Sequence, residues 1–220
     1  ENYLILFHEA KKKKYPQVDS LEKKNFFTID KEWLDDLAMI TQVTIKNSDI
    51  CYAHGRVLYS SLSHYIEKLN EPINIIETGT SKGFSSLCMA KALYDLKKNG
   101  LIHTIDLLPI DKKIYWNSIS DFEGMKTRSQ LLYKWNELNN KYIKFYEGFS
   151  KKILKKINPN RVHFAFIDGS HTYLDVLYEL NYVANRQLEN DIIVIDDYNL
   201  QYPGLIKATS KVIKSFNYSL

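Results

Sequence analysis

A chain of 220 residues with 45% hydrophobic content is long enough to bury one sizeable core and fits one compact unit. Its net charge of +4 comes mainly from lysines spread along the sequence, which excludes a specific nucleic-acid surface from the expected functions. Two cysteines give no disulfide framework, and the sequence shows neither a signal peptide nor an apolar run of membrane-spanning length, so we expect a cytoplasmic protein. The sequence begins at Glu1, so we also expect an N-terminus that is processed or cut from a longer chain.

Residues 1–70 carry a helical pattern. Asp30 is a predicted N-cap, and apolar residues recur behind it at helical spacing, namely Trp33, Leu34, Leu37 and Ile40. A second apolar stripe lies within residues 57–69 and ends before Pro72. We therefore predict an N-terminal helical layer in which the polar and aromatic residues 44–56 form either a lid over a site or a connecting loop.

The stretch from Ile73 to Ser86 reads I-N-I-I-E-T-G-T-S-K-G-F-S-S and predicts a strand, a tight loop and a helix N-terminus. Gly79 and Gly83 let the backbone approach a ligand, the N–H groups of the loop and first helical turn offer donors, and Glu77 offers a carboxylate. The spacing E-x-G-x-x-x-G matches neither the dinucleotide fingerprint nor the phosphate loop. The pattern therefore favours a small ligand with little phosphate, and an ordinary strand-to-helix turn is the alternative.

Strand and helix alternate from Ile73 to the last residues. This alternation predicts an α/β fold, with a Rossmann-like, mainly parallel sheet and helices on both of its faces over residues 71–220. The connection that starts at Leu107 is longer than usual, and its aromatic residues indicate either a flap or a satellite packing cluster; they are Tyr115, Trp116 and Phe122. The predicted strands are 73–77, 101–106, 142–147, 161–168 and 191–197, and the helices that follow them are 84–96, about 126–138, 151–156, about 172–188 and one ending near 216.

Acidic residues follow four of the predicted strands: Glu77, Asp106, Asp168, Asp196 and Asp197. In a parallel sheet, ligands bind at the carboxyl ends of the strands, where all five would lie. Carboxylates crowded at buried strand ends repel one another unless a cation or a ligand occupies the space. Asp106, after the second strand, is placed to bind ribose hydroxyls, and the alternative is that it caps its own turn.

Three of these acids predict a metal site. If the fourth and fifth strands are neighbours, their ends lie about 5 Å apart, which brings Asp168, Asp196 and Asp197 to one ion. Oxygen ligands favour Mg²⁺, with Mn²⁺ or Ca²⁺ as substitutes. In the alternative, these aspartates only begin or cap turns. His171 follows Asp168 by three residues and is placed to act as a general base, or else it faces water on a helix; Ser150 is a predicted helix N-cap.

The motifs E-T-G-T-S-K-G, F-I-D-G-S-H and I-V-I-D-D-Y, with Asp106 between them, resemble the class I S-adenosylmethionine-dependent methyltransferases. The resemblance is to the metal-dependent O-methyltransferase branch, which includes catechol O-methyltransferase and relatives of macrocin O-methyltransferase, and covers roughly residues 73–198. It implies an S-adenosylmethionine-binding domain at residues 71–220 and methylation of a small sugar, glycosylated or phenolic acceptor. A nicotinamide-dependent oxidoreductase, disfavoured by the missing G-x-G, and a non-catalytic binding module are the alternatives.

The resemblance also implies residue roles. Glu77 and Gly79 would lie at the methionine end of the cofactor, Asp106 at the ribose and Gly148 to Ser150 at the adenine. The metal would bind Asp168, Asp196 and Asp197, with His171 and Asp168 as catalytic residues. The relatives usually finish with a strand and an antiparallel hairpin strand, so either a C-terminal piece is missing or a partner, such as a second copy, covers the open edge. The implied cofactor residues are Glu77, Gly79, Thr80, Ser81, Gly83, Phe84, Asp106, Leu107, Gly148, Phe149, Ser150 and Asp168.

Overall fold

The structure is a computed structural model, and it describes residues 2–219. The chain forms two compact units that interleave along the sequence. The helical unit comprises the residues up to Glu71, Ser81–Asn99 and Pro109–Ile143. The sheet unit comprises Pro72–Thr80, Gly100–Leu108 and the residues from Lys144 onward. The predicted division of the chain at residue 71 stays a prediction.

The strands are β1 (Ile73–Thr78), β2 (Gly100–Asp106), β3 (Ile143–Glu147), β4 (Phe164–Ile167) and β5 (Ile192–Ile195). The helices are α1 (Asn2–Lys12), α2 (Pro16–Asn25), α3 (Lys31–Thr41), α4 (Ala53–Ile66), α5 (Phe84–Asp95), α6 (Arg128–Leu131), α7 (Asn136–Tyr142), α8 (Ser150–Ile153), α9 (Tyr173–Ala184) and α10 (Pro203–Phe216). Short 3₁₀ turns occupy Ile119–Glu123 and Tyr133–Trp135.

The predicted order of strands and helices from Ile73 onward is confirmed, although several bounds differ. The helix predicted near residues 126–138 is divided into α6, a 3₁₀ turn and α7, because the N–H of Trp135 donates to the carbonyl of Leu132, three residues back, and tightens the chain. Strand β4 begins later than predicted, because the N–H of Val162 donates to the carbonyl of Arg186 rather than to a neighbouring strand.

The sheet has the order β3-β2-β1-β4-β5, and β1 pairs in parallel with both β2 and β4. Strand β5 pairs in parallel with β4, as the predicted metal site requires. The direction of the strand order reverses between β1 and β4, which is where open parallel sheets bind ligands. The predicted α/β, Rossmann-like fold is therefore confirmed. Within residues 2–219 no strand follows β5, so β5 is an edge strand.

The core of the sheet unit lies between the strands and the last two long helices. All four residues of β4 are buried, as expected for a strand covered on both faces. Helix α9 adds a buried stripe of Val176, Leu180 and Val183, and α10 adds Leu205, Ala208 and Val212. This packing fixes the carboxyl ends of β1 and β4, where the acidic residues lie.

The helical unit contains the predicted N-terminal helices. The side chain of Asp30 accepts a hydrogen bond of 2.7 Å from the N–H of Trp33, which confirms the predicted N-cap of α3. The apolar stripe of α4 is buried through Leu58, Leu62 and Ile66. None of the helices within the described residues is both long enough and apolar enough to cross a membrane.

The aromatic residues of the long β2–β3 connection divide between packing and solvent. The side chain of Trp116 is buried, and its indole N–H donates to the carbonyl of Lys126 at 2.8 Å. Tyr115 and Phe122 are exposed. Trp116 therefore fits the packing alternative rather than the flap.

Candidate functional site

A cleft of ≈ 640 Å³ opens at the carboxyl ends of the strands, and this volume is typical of small-molecule sites. Each loop that follows β1, β2, β3 and β4 contributes to its wall. The loops thus bring together many of the residues predicted to bind the cofactor. The lining residues that carry the argument below are Gly79, Asp106, Leu107, Gly148, Phe149, Ser150, Gly169 and Glu179.

Position 79 must be a glycine, both because of its backbone conformation and because of the atoms around it. Its φ is +93°, a region that favours glycine. A Cβ atom at this position would lie 2.3 Å from the carbonyl oxygen of Asp168. The N–H of Asp168 also donates to the carbonyl of Thr78 at 2.9 Å. The loop after β1 and the turn after β4 are therefore packed backbone to backbone beside the cleft.

Asp106 lies at the end of β2 and lines the cleft, as predicted for a ribose-binding acid. Its Oδ1 accepts a hydrogen bond of 2.8 Å from the N–H of Leu108, as in the turn-capping alternative, and its role at a ribose stays a prediction. Its backbone carbonyl accepts the N–H of Gly148 at 2.8 Å. This bond joins the loops after β2 and β3, so the predicted ribose and adenine positions are neighbours.

Glu77 and Thr80 lie inside the protein rather than on the cleft surface. The side chain of Glu77 is fully buried and accepts a hydrogen bond from the hydroxyl of Thr104 on β2. The same hydroxyl of Thr104 lies 2.5 Å from that of Thr80. These polar groups link β1, β2 and the start of the glycine loop, and the predicted contact of Glu77 with a cofactor stays a prediction.

The remaining loop residues of the prediction belong to the helical unit. Gly83 has a φ of +95° and is the N-cap of α5, whose first residue, Phe84, is buried. Ser81 has a φ of +48°, which is uncommon for a residue with a side chain. Their predicted roles in cofactor binding stay predictions.

Two carboxylates and one histidine form an acidic group just after β4 and β5. Ligand atoms of Asp168, His171 and Asp197 all lie within 4.8 Å of one another. Burial first, and then the charges of Asp196, Glu77, Asp197 and Asp106 in that order, together raise the pKa of Asp168 to about 8. The five acids predicted for this edge of the sheet therefore share one electrostatic environment.

His171 is held by two neighbours. Its Nε2 lies 3.1 Å from Oδ2 of Asp197, and its ring stacks on Tyr202 with centroids 3.9 Å apart and planes at 18°. Asp197 has a φ of +53°, a backbone conformation that aspartate tolerates better than most residues and that is common at functional sites. The imidazole thus has a fixed position and a carboxylate partner.

Asp196 is placed differently from the other two predicted ligands. Its Oδ1 accepts a hydrogen bond of 2.9 Å from the N–H of Asp197, as in the turn-capping alternative. It lies outside the group of three, although its charge acts on Asp168. Its role as a metal ligand stays a prediction.

The sequence prediction missed Glu179, and it assigned Ser150 wrongly as an N-cap. Helix α8 begins at Ser150 after the N-cap residue Phe149, and the hydroxyl of Ser150 bonds to the side chain of Glu179. Glu179 is buried, lines the cleft and accepts a hydrogen bond of 2.9 Å from the hydroxyl of Thr78. Burial raises the pKa of Glu179. A sequence signal existed, because this acid falls three residues after Val176, within the buried stripe of α9.

The carboxylates of Asp168 and Asp197 fit a divalent cation. Carboxylate oxygens are the ordinary ligands of Mg²⁺, and an imidazole nitrogen is an ordinary ligand of softer divalent ions. A cation would also relieve the repulsion that raises the pKa of Asp168, which makes a deprotonated carboxylate favourable there.

Comparison with known proteins gives one family and several related structures. The family described as "Methyltransferase domain" matches residues 76–198. No curated protein matches the sequence. The O-methyltransferase NovP has 15% identity and a TM-score of 0.59 over 78% of this chain and 75% of its own. The S-adenosylhomocysteine-bound methyltransferase PaMTH1 of Podospora anserina has 16% identity and a TM-score of 0.58 over 92% of this chain and 85% of its own. CalS11, a TDP-rhamnose 3'-O-methyltransferase of calicheamicin biosynthesis, has 16% identity and a TM-score of 0.52 over 91% of this chain and 87% of its own. At such identities these structures show a shared fold.

Proposed function

The chain belongs to the methyltransferase-domain family, and from that membership we propose that it methylates a hydroxyl of a small acceptor with S-adenosylmethionine and a divalent cation. The observation that carries the proposal is the cleft in which Gly79, Asp106 and Gly148 meet beside the group of Asp168, His171 and Asp197. A nucleoside-sized cavity and a cluster of proton-binding and ion-binding groups are what such a reaction needs.

In this proposal the cleft holds the cofactor through its loops. Asp106 accepts hydrogen bonds from the ribose hydroxyls, and the turn at Gly148 borders the adenine. Gly79 lets the loop pack directly against the turn that carries Asp168, where a side chain would collide, and so keeps the methionine end of the cofactor beside that turn. S-adenosylmethionine supplies the methyl group as an electrophile on its sulfonium. The protein contributes orientation, which can supply several kcal/mol of the rate enhancement.

Asp168 and Asp197 would hold the cation, with Asp196 as the further predicted ligand. A divalent cation held there supplies positive charge that lowers the pKa of a bound hydroxyl. His171 accepts the proton of the acceptor hydroxyl. The acceptor oxygen then bonds to the methyl carbon while the carbon–sulfur bond breaks, and S-adenosylhomocysteine leaves. The carboxylate of Asp197 beside Nε2 stabilises the imidazolium that forms. Stacking on Tyr202 keeps the imidazole in place during the transfer.

The acceptor is proposed as a sugar, a glycosylated metabolite or a phenol. Two structures that share the fold support an oxygen acceptor, since NovP and CalS11 are O-methyltransferases, and CalS11 acts on TDP-rhamnose. Neighbouring oxygens on such acceptors suit a cation held by two carboxylates.

Binding of the cofactor is tested by thermal shift with S-adenosylhomocysteine and, separately, NAD. A ligand at a hundredfold excess over its Kd stabilises the folded state by about 2.7 kcal/mol, so we expect a clear rise in Tm with S-adenosylhomocysteine and none with NAD. The variant Asp106→Ala should bind S-adenosylhomocysteine at least tenfold more weakly, whereas Asp111→Asn, at an exposed position, should bind it normally. A rise in Tm with NAD alone would favour an oxidoreductase.

The metal and base roles are tested by activity on a panel of sugars and phenols. EDTA should abolish methyl transfer and Mg²⁺ should restore it; activity that persists in EDTA would remove the cation from the mechanism. His171→Gln should lower kcat strongly while the Mg²⁺ affinity changes little. A large loss of Mg²⁺ affinity in this variant would instead make His171 a metal ligand. Cofactor binding without transfer to any acceptor would indicate a binding module.

A further inference from the structure

Arg128 is a buried arginine that binds the glycine loop. It is 2% exposed, and its Nε and Nη2 both donate to the carbonyl of Ser81, at 3.2 and 3.0 Å. Its guanidinium also lies over the ring of Trp116, 5.6 Å from the centroid. Burying a guanidinium is costly unless it is well bonded, so this arrangement places a strong constraint on the peptide of Ser81.

The peptide of Ser81 is one that needs such a constraint. Ser81 has a φ of +48°, where residues other than glycine are strained by about 1 kcal/mol or more. Two donors on one carbonyl fix the plane of the peptide that joins Ser81 to Lys82. The N–H groups of this loop are those that the sequence predicts to face the cofactor.

Lys82 extends from the same loop to a second anchor. Its side chain is 6% exposed, and Nζ donates to the carbonyl of Asn117 at 3.1 Å. The side-chain amide of Asn117 is itself fixed, since it accepts the N–H of Ile45 and donates to the carbonyl of Ile45. Burial lowers the pKa of Lys82 to about 8. The loop is therefore tied at two successive residues.

Both anchors lie on one ordered segment, the long β2–β3 connection. Ile114 and Lys126 form an antiparallel bridge, and the carbonyl of Lys126 also accepts the indole N–H of Trp116. Thr127 and Gln130 form a capping box that starts α6 at Arg128. The segment thus presents the guanidinium from a short, fixed helix start, which gives the unusually long connection a structural purpose.

We propose that Arg128 is a positioning residue for the cofactor, because it holds the peptide of Ser81 in the conformation that binds S-adenosylmethionine. The proposal rests on the proposed function. Arg128 acts through the backbone of the loop and needs no contact with the ligand. Its effect is to preorganise the loop, so that binding does not have to supply the free energy of ordering it.

The test compares Arg128→Met and Arg128→Lys with Arg186→Met. Arg186 is a matched control, because it also stacks on an aromatic ring, Tyr182, at 3.8 Å and donates to a backbone carbonyl at 3.1 Å, but that carbonyl belongs to α9 and not to the glycine loop. We expect Arg128→Met to bind S-adenosylhomocysteine at least tenfold more weakly and Arg128→Lys to be intermediate. Arg186→Met should bind S-adenosylhomocysteine with an affinity within twofold of that of the wild-type protein. Its Tm should fall by about as much as that of Arg128→Met.

Hydrogen exchange of the unliganded protein gives a readout that needs no ligand. Amides in the peptide covering residues 79–84 should exchange at least tenfold faster in the Arg128 variants and at the wild-type rate in Arg186→Met. The two proposals fail in different ways. If the wild-type protein does not bind S-adenosylhomocysteine, the proposed function is overturned. If the exchange rate in Arg128→Lys equals that of the wild-type protein, the role of Arg128 is overturned. Equal losses of affinity in Arg128→Met and Arg186→Met would also overturn it. If Arg128→Met does not fold, Arg128→Lys carries both measurements.

Discussion

Replacing Asp168 by Asn should stabilise the protein at neutral pH when divalent cations are removed. In the unfolded chain this carboxyl has a pKa near 3.8, and in the folded protein burial and four neighbouring acids raise the pKa to about 8. Between these values the folded state holds a proton that the unfolded state has lost. The contribution to stability is therefore full below pH 3.8 and is lost as the pH rises through 8.

The size of the effect follows from the shift. A pH of 7 is about three units above the unfolded-state pKa, and each unit corresponds to ~1.4 kcal/mol. The free energy of unfolding of the wild-type protein is therefore lower at pH 7 than at acid pH by on the order of 4 kcal/mol. An asparagine has no proton to lose and keeps nearly the same shape. We expect Asp168→Asn to exceed the wild-type free energy of unfolding by a few kcal/mol at pH 7, and the difference to shrink toward pH 4.

The assay is urea unfolding in EDTA, followed by circular dichroism from pH 4 to pH 8. The exposed Asp111 provides the control variant Asp111→Asn, whose pH profile should follow that of the wild-type protein. Added Mg²⁺ should stabilise the wild-type protein and not Asp168→Asn. Parallel pH profiles for the wild-type protein and Asp168→Asn would refute the reasoning.

Three further substitutions test packing by urea unfolding, two at the cleft and one at the opposite end of β4 and β5. Gly79→Ala should cost more than 3 kcal/mol, whereas Gly124→Ala, which has a similar φ of +92° but open space around the new Cβ, should cost about 1 kcal/mol; equal costs would contradict the close packing. Glu179→Leu should cost about 2 kcal/mol, because two hydroxyls lose their acceptor, and a neutral result would show that they find other partners. Arg161→Met should cost about 3 kcal/mol by removing the guanidinium that pairs with the buried carboxylate of Asp191, and Arg161→Lys should restore part of it; no change would mean that water reaches that carboxylate.

Local patterns explain what could be predicted from the sequence. The apolar run before Glu77 and the glycines after it specify strand, loop and helix within fourteen residues, so β1 and α5 were placed closely. The alternation of strands and helices predicts parallel strands whose carboxyl ends, with their acids, share one edge of the sheet. The pairing of β4 with β5 was a condition of the predicted metal site, and the structure meets it. Periodicity and topology were sufficient for these features.

Contacts between distant residues explain what could not be predicted. Arg128 meets Ser81 across 47 residues, and Glu179 meets Thr78 across 101. An arginine after a threonine is usually a solvated residue, so the sequence around Arg128 implies no partner. The place of Glu179 in the buried stripe of α9 indicates that it is buried, but it does not identify Thr78. The choice of His171 over Asp196 in the acidic group depends on side-chain directions in a turn of only a few residues, which spacing does not determine.

The contact between Gly79 and the carbonyl of Asp168 has a thermodynamic consequence. Because two backbones touch there without room for a methyl group, the glycine loop and the turn that carries Asp168 cannot shift independently. In the proposed function, an ion that fixes Asp168 would change the affinity for the nucleoside, and the nucleoside would change the affinity for the ion by the same factor. Titrations of Mg²⁺ with and without S-adenosylhomocysteine would measure this reciprocal coupling between the two ligands.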